Sequence, residues 1–339
     1  MSRGLGDVYK RQEVKEANYQ IIPLPQEISV MDQAAPFILS NGTKIMYPEG
    51  NEKLQRTAEF LASYIKEATG ITVRTTTEAA KKNSIILAVD SSITNKEGYQ
   101  LEVTSENIHL NGGSESGVFY GIQTLYKALP LTKNKQVSAA IPVGTVNDYP
   151  RFGYRGFMVD VGRHYFPVSY LKQIIDMLAL HNINYFHWHL TDEPGWRIEI
   201  KKYPRLAEVG GRRIEGEGVE YGPFYYTQEE IKDIVSYAAE HFITNYYELQ
   251  IILFRRESSR HPSLLRSFCQ PLFFFFVCPP FCRLTGYSTT NPQKVQRTFS
   301  FRLFFLSDLP DWYHFLHQTV FSMDSRRGDK HHLIHEIFF

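Results

Sequence analysis

Side chains of the kind that bind sugars lie around two short apolar segments of the sequence. Arg155 precedes the first segment. Asp192 and Glu193 end the second, which contains Trp188 and is followed by Trp196. Carbohydrate recognition uses charged groups that form paired hydrogen bonds with neighbouring hydroxyls, and aromatic rings that cover the apolar face of the sugar. These residue types predict a sugar site, although Arg155 and Asp192 could instead pair with each other.

A metal site is the alternative reading of the second segment. His187 and His189 share one face of a strand because side chains alternate, so both imidazoles could bind one divalent ion. A metal-dependent barrel hydrolase would take further ligands from later strands, and the sequence does not supply them. A metal site therefore stays an alternative, based on these two histidines alone.

The segments that must position these residues alternate between strand and helix. Strands are predicted over 157–161 and 184–190, with Asp160, Arg163 and His164 at the end of the first. Pro167 opens the helix between them, and a capping box at Thr227 starts a second helix after the long loop 191–226. This alternation predicts a parallel sheet, with a site at the carboxyl ends of the strands.

A small α+β unit is predicted before this region. Apolar residues recur at helical spacing from Leu54 to Ile65, and Gly70 fits the end of that helix. Strands are predicted over 84–90, 99–104 and 107–110, followed by a second helix over about 117–129. The predicted domains are therefore 17–150, with a structural or interface role, and 151–244, the first units of a barrel.

Both termini depart from this pattern. Residues 1–16 are expected to be a scar or disordered, since Asp7–Gln12 can be encoded by a transposon mosaic-end sequence. Residues 245–339 contain no alanine and show no sustained helix or strand pattern. They are predicted to be a frameshifted or chimeric tail without a native fold. A zinc module is the alternative there, built from Cys269, Cys278, Cys282 and distant histidines.

Composition excludes several classes of protein. The 339 residues are 43% hydrophobic and 22% charged, which rules out a disordered or collagen-like polymer. A net charge of +1 gives no attraction to nucleic acid, so no nucleic-acid partner is expected. There is no apolar run of about 18 residues to span a membrane, and no signal peptide is evident. The compartment and the oligomeric state stay undetermined.

Several runs of the sequence resemble the family 20 glycoside hydrolases, the β-N-acetylhexosaminidases. They are Y-P-R-F-G-Y-R-G-F-M-V-D at 149–160, G-R-H-Y-F-P at 162–167, N-Y-F-H-W-H-L-T-D-E-P-G-W at 184–196, and Y-T-Q-E-E-I at 226–231. The resemblance covers about 17–244. It implies an α+β N-terminal domain followed by a truncated (β/α)8 TIM barrel.

The resemblance also implies an activity and its residues. Family members remove terminal β-linked N-acetylglucosamine or N-acetylgalactosamine by a retaining, substrate-assisted mechanism, with no metal and no organic cofactor. Arg155 would bind the ring hydroxyls at positions 3 and 4, and Asp192 would line that end of the pocket. His189 and Glu193 would orient those two side chains, and Trp196 is a further substrate-binding candidate.

The catalytic pair of the family is the main departure. It belongs to a His-x-Gly-Gly-Asp-Glu pattern on the fourth strand, which this sequence lacks; its one Asp-Glu dipeptide, Asp192-Glu193, belongs to the second strand. The chain is therefore predicted to be inactive as it stands. Its partners would be N-acetylhexosamine-terminated glycans, and a non-catalytic sugar-binding remnant is the alternative function.

Overall fold

A computed structural model describes residues 14–79, 82–132, 136–192, 194–254, 286–291 and 294–306. These residues form two compact units. The first extends to Arg155 and includes Met177–Asn182 and Glu240–Phe242. The second comprises Gly156–Asp176, Ile183–Ala239 and the described residues from Ile243 onward. The junction after Arg155 lies close to the predicted division at residue 150.

The first unit contains two helices and ten strands among the described residues. In chain order they are β1 (Val14–Glu16), β2 (Glu27–Val30), β3 (Phe37–Leu39), β4 (Lys44–Met46), α1 (Glu52–Thr69), β5 (Arg74–Thr76), β6 (Ser84–Val89), β7 (Tyr99–Val103), β8 (Asn107–Gly112), α2 (Glu115–Ala128), β9 (Ser138–Ile141) and β10 (Gly144–Asp148). They form a mixed sheet in the order β2-β10-β7-β8-β6-β4-β5 and a small sheet in the order β1-β9-β3. This confirms the predicted α+β character of the unit.

Helix α1 has the local signals that the sequence indicates. The side chain of Asn51 caps its first turn by accepting a hydrogen bond from the Leu54 amide at 2.9 Å. Gly70 ends it in the left-handed conformation, with φ of 72°. The predicted apolar stripe is fully buried, from Leu54 to Ile65. Capping and burial of one face therefore fix both ends and the orientation of this helix.

The second unit begins with parallel strands. In chain order its elements are β11 (Gly156–Asp160), α3 (Val168–Leu180), β12 (Tyr185–Asp192), β13 (Gly195–Trp196), α4 (Pro204–Gly210), β14 (Arg213–Glu215), β15 (Val219–Tyr221), α5 (Gln228–Glu240), β16 (Thr244–Phe254), β17 (Gly286–Asn291) and β18 (Lys294–Leu306); the carboxyl ends of α3 and α5 belong to the first unit. Strands β11, β12 and β16 pair in parallel, which confirms the strand–helix alternation. The capping box at Thr227 is also confirmed, because its amide donates to Glu230 Oε2 at 2.8 Å.

The described residues after 245 form strands that the sequence pattern did not predict. Strand β16 continues to Phe254, and β18 pairs antiparallel with β16 and with β17. A frameshifted or chimeric origin of residues 245–339 stays a prediction. The sequence signal for β18 is the alternation of Phe299, Phe301 and Leu303 with polar residues, which is the period of a strand. Cys269, Cys278 and Cys282 lie outside the described residues. No helix in the described part of the chain is long and apolar enough to cross a membrane.

Candidate sugar-binding site

Two neighbouring strands bring three potential ligand groups together at their carboxyl ends. Strand β11 pairs with β12 in parallel so that Asp160 lies opposite His189. One side-chain ligand atom from each of Asp160, His189 and Asp192 lies within 4.8 Å of the others. The fold therefore positions two carboxylates and an imidazole at the edge of the sheet where barrel enzymes have their sites.

An arginine completes this cluster. The Nε atom of Arg163 lies 3.3 Å from Asp160 Oδ2 and 3.6 Å from Asp192 Oδ2. His189 Nε2 lies 3.6 Å from the same oxygen of Asp192. The side chain of Arg163 is 73% exposed, whereas that of Asp192 is only 14% exposed. We call Asp160, Arg163, His189 and Asp192 the β11–β12 cluster; its acids are sheltered and its cation is open to solvent.

Main-chain contacts explain why the cluster forms. The amides of Val161 and Gly162 both donate to the His189 carbonyl, at 3.1 and 3.3 Å. The Arg163 amide donates to Asp160 Oδ1 at 3.0 Å, which closes a turn at the end of β11. A Cβ atom on Gly162 would lie 3.0 Å from the Asp192 amide nitrogen, so glycine permits the close approach of the two segments.

Arg155, the first predicted sugar ligand, is engaged within the first unit. Its guanidinium makes a two-oxygen contact with Glu97, both distances being 3.0 Å. The other donors reach the carbonyls of Asn182 and Phe152 at 2.6 and 2.8 Å and the Tyr120 hydroxyl at 3.3 Å. These bonds use all five N–H groups that a guanidinium offers. The geometry therefore does not support Arg155 as the ligand of ring hydroxyls, and its acidic partner is Glu97, not Asp192 as the alternative suggested.

The tryptophans are also less available than the sequence suggests. Trp188 is fully buried and packs edge-on against Tyr226, with ring centroids 4.8 Å apart. Trp196 is half-buried, and its Nε1 donates to the Ile198 carbonyl at 2.7 Å. Trp188 is a core residue, while Trp196 stays a prediction as a sugar contact. Glu193 lies outside the described residues.

The structure groups a different set of possible metal ligands from the pair of histidines that the sequence suggested. The rings of His187 and His189 have centroids 6.4 Å apart and are nearly perpendicular. The grouping with metal-ligand spacing contains His189 together with Asp160 and Asp192 instead. Arg163 already supplies positive charge beside both of these carboxylates. Among the described residues, the positive charge next to these two carboxylates therefore comes from the Arg163 guanidinium.

The sequence contained a signal for Arg163 that residue type alone did not reveal. Arg155 lies at the amino end of β11, whereas Asp160 and Arg163 lie at the carboxyl end. Sites of parallel α/β folds lie beyond the carboxyl ends of the strands. This rule, applied to the predicted strand, would have favoured Arg163 over Arg155.

Comparisons with known proteins agree with this architecture. The family profile "Glycosyl hydrolase family 20, catalytic domain" matches residues 152–251, and "Glycosyl hydrolase family 20, domain 2" matches residues 18–149. A β-hexosaminidase from Porphyromonas gingivalis is 40% identical over 68% of this chain and 30% of its own length. A β-hexosaminidase from Vibrio furnissii is 34% identical over 69% of this chain and 38% of its own length.

Solved structures show the same likeness. A mutant β-hexosaminidase from Streptomyces plicatus in complex with the product GlcNAc has a TM-score of 0.59 and 31% identity, covering 68% of this chain and 45% of that chain. An exo-β-N-acetylglucosaminidase from Vibrio harveyi in complex with N-acetylglucosamine has a TM-score of 0.59 and 29% identity, covering 70% and 37%. The chain spans less than half the length of these relatives. Over residues 18–251, which the two profiles match almost without a gap, it belongs to glycosyl hydrolase family 20.

Proposed function

We propose that this chain carries part of a β-N-acetylhexosaminidase, the part that recognises the terminal N-acetylhexosamine of a glycan. The observation that carries the proposal is the exposed guanidinium of Arg163 between the sheltered carboxylates of Asp160 and Asp192. A vicinal diol can accept hydrogen bonds from a guanidinium and donate hydrogen bonds to carboxylates at the same time. The cluster therefore offers both kinds of partner to two adjacent ring hydroxyls.

The roles within the site follow from exposure and contacts. Arg163 contacts the sugar hydroxyls, in place of Arg155. Asp160 and Asp192 hold the guanidinium in one orientation, and His189 supports Asp192 from the buried side. Glu193 and Trp196 complete the set that the family resemblance indicates. A preorganised ion pair reduces the loss of side-chain freedom when the sugar binds.

Hydrolysis by this polypeptide alone is not part of the proposal. In the family mechanism the acetamido oxygen of the substrate attacks the anomeric carbon while an acid protonates the leaving oxygen. The sequence has no Asp-Glu dipeptide other than Asp192-Glu193. Asp192 is engaged with Arg163 and His189, and this role is that of a binding group.

Sugar titration of the full chain tests the proposal. N-acetylglucosamine should bind the purified protein in calorimetry, and Arg163→Gln should weaken binding at least about tenfold because the charged donors are lost. Arg212→Gln is the matched control, since Arg212 is an exposed arginine of the same unit paired with Glu220. Equal affinities for the wild type and Arg163→Gln would refute the proposed site.

Two further measurements decide between the proposed sugar site and the alternatives. Release of a chromophore from an aryl β-N-acetylglucosaminide should be absent; turnover that Arg163→Gln abolishes would show that the chain has its own acid. A chelator should leave sugar affinity unchanged. Loss of binding on chelation would instead favour a divalent ion held by Asp160, His189 and Asp192.

A further inference from the structure

Arg197 is a fully buried arginine whose side chain binds main-chain carbonyls. Its Nε donates to the Val161 carbonyl at 3.0 Å, and one terminal nitrogen donates to the Gly162 carbonyl at 3.1 Å. The other terminal nitrogen donates to the carbonyls of Gly211 and Phe224, at 2.7 and 2.9 Å. A single guanidinium thus joins three separate stretches of chain.

Two of these carbonyls belong to the turn that carries Arg163. Val161 and Gly162 directly precede Arg163, and their amides bind the His189 carbonyl on β12. The turn is therefore held from both sides of its peptide groups: the amides by β12 and the carbonyls by Arg197. Loss of the guanidinium would remove the hydrogen bonds to these two carbonyls and leave those of the two amides.

The main chain of Arg197 is itself fixed beside the site. Its amide donates to the Leu190 carbonyl at 3.0 Å, and its carbonyl accepts from the Tyr226 amide at 2.9 Å. The preceding strand, β13, pairs with the end of β12 so that Gly195 lies opposite Asp192. Arg197 is thus anchored to the strand that carries Asp192 while it holds the turn that carries Arg163.

Other side chains of the loop after β12 bind the same turn farther along. Arg213 donates to the Arg163 carbonyl, the Tyr221 hydroxyl accepts from the Tyr165 amide at 2.9 Å, and the Tyr226 hydroxyl donates to the Phe166 carbonyl at 2.5 Å. None of these three side chains belongs to the β11–β12 cluster. The turn from 161 to 166 is accordingly held by a second layer of residues, of which Arg197 and Tyr226 are fully buried.

Burying a charge costs free energy unless the charge is hydrogen-bonded, and the guanidinium of Arg197 is bonded to carbonyls. Desolvation lowers the pKa of Arg197, although a guanidinium stays protonated at neutral pH. Its ring neighbour is Tyr221, whose centroid lies 5.6 Å from the guanidinium carbon. The fork geometry of arginine matches several carbonyls at once, which the single ammonium of lysine does not.

We propose that Arg197 is a positioning residue for sugar binding: by holding the carbonyls of Val161 and Gly162, it keeps Arg163 in register with Asp192. This proposal rests on the proposed function, because it assigns the purpose of the orientation to the β11–β12 cluster. Arg197 does not contact the sugar. Its effect on affinity is transmitted through the position of the turn.

Chemical rescue in the full chain tests the proposal. Arg197→Ala should fold, as judged by circular dichroism, and lose N-acetylglucosamine affinity by at least about tenfold. Millimolar methylguanidinium, which can refill the vacated space, should restore affinity in Arg197→Ala but leave the wild type and Arg163→Gln unchanged. Arg197→Lys should bind N-acetylglucosamine as weakly as Arg197→Ala does. Full affinity in a folded Arg197→Ala protein, or loss that methylguanidinium does not restore, would overturn the proposal.

Amide hydrogen exchange separates this proposal from the function it rests on. Arg197→Lys should accelerate exchange at the amides of Gly162 and Arg163, while exchange within α5 stays unchanged. Arg212→Lys is the control for loss of an exposed guanidinium in the same loop. If the wild type binds no sugar, the proposed function fails, and exchange still decides whether Arg197 fixes the turn. Uniform acceleration throughout the unit would show a merely structural role and refute positioning.

Discussion

Arg155 and Arg163 lie just before and just after the same strand, β11, and both guanidiniums contact carboxylates. In the first unit, Arg155 is 15% exposed and all of its N–H groups have partners. In the second unit, Arg163 is 73% exposed and lies beside two sheltered acids. An ion pair therefore indicates a binding site only when its donors can still reach a ligand.

The burial of the two pairs also predicts opposite consequences of mutation. Removing one partner of a largely desolvated pair lowers stability, because the other charge stays buried and unpaired. A pair that is open to solvent contributes little to stability and is available for binding. Stability and sugar affinity should therefore respond to different arginines.

The largest expected effect is on stability in the first unit. Arg155→Ala should lower the free energy of unfolding by about 2–3 kcal/mol, because Glu97 and Tyr120 lose their buried partner. Urea denaturation measures this change. The sugar affinity of the folded variant should stay within about twofold of the wild type.

Arg56→Ala is the matched control for Arg155→Ala. Arg56 pairs with Glu240 in the same unit, but its side chain is 53% exposed, so the loss should be below about 1 kcal/mol. Equal losses in the two variants would contradict the distinction based on burial. A sugar affinity that falls with Arg155→Ala, in fully folded protein, would return Arg155 to the binding site.

An intermediate effect is expected from a methyl group added at Gly162, next to the β11–β12 cluster. Gly162→Ala would place a methyl group 3.0 Å from the Asp192 amide nitrogen and 3.1 Å from its Cβ. The turn must shift, at a cost of about 1–2 kcal/mol, and sugar affinity should fall with it. Calorimetric titration and thermal unfolding measure the two effects.

Gly153→Ala serves as the control, since no atom lies within 4 Å of the added methyl group. It should leave both quantities near the wild-type values. Unchanged affinity in Gly162→Ala would show that the spacing between Arg163 and Asp192 is not needed for binding.

The smallest effect is a pH dependence that comes from another cation of the first unit. Burial lowers the pKa of Lys127 from 10.5 to about 8, and its Nζ donates to the Leu180 carbonyl at 2.8 Å. Between these two pKa values the unfolded chain binds the proton and the folded chain does not. The free energy of unfolding should therefore rise with pH, by about 1 kcal/mol between pH 8 and about 9.5.

Denaturation at several pH values checks this contribution. Lys127→Met should remove the rise, whereas substitution of the exposed Lys66 by Met should not. Above about pH 10 the buried tyrosines act in the opposite direction, since burial raises the pKa of Tyr99 above its ordinary value. A Lys127→Met variant with the slope of the wild type would show that Lys127 is not the group responsible.

Local sequence signals predicted most of the secondary structure that positions the site. The stripe from Leu54 to Ile65, the cap at Thr227 and the apolar segments of β11 and β12 all reflect interactions between residues that are close in sequence. The loop after β12 was less predictable, because α4, β13, β14 and β15 are short. The side chains that bind the 161–166 turn come from this loop, and their contacts with the turn span 35 to 60 residues.

Residue order and periodicity were enough to predict the family, the alternation of strand and helix, and the segment that holds Asp192 and His189. The exposure of the two arginines depends instead on long-range packing. Arg155 finds Glu97 at a separation of 58 residues, and no local pattern reports that contact. Arg163 and Asp192 meet because parallel pairing aligns the ends of β11 and β12. Whether a charge is buried and satisfied depends on neighbours that folding alone brings together.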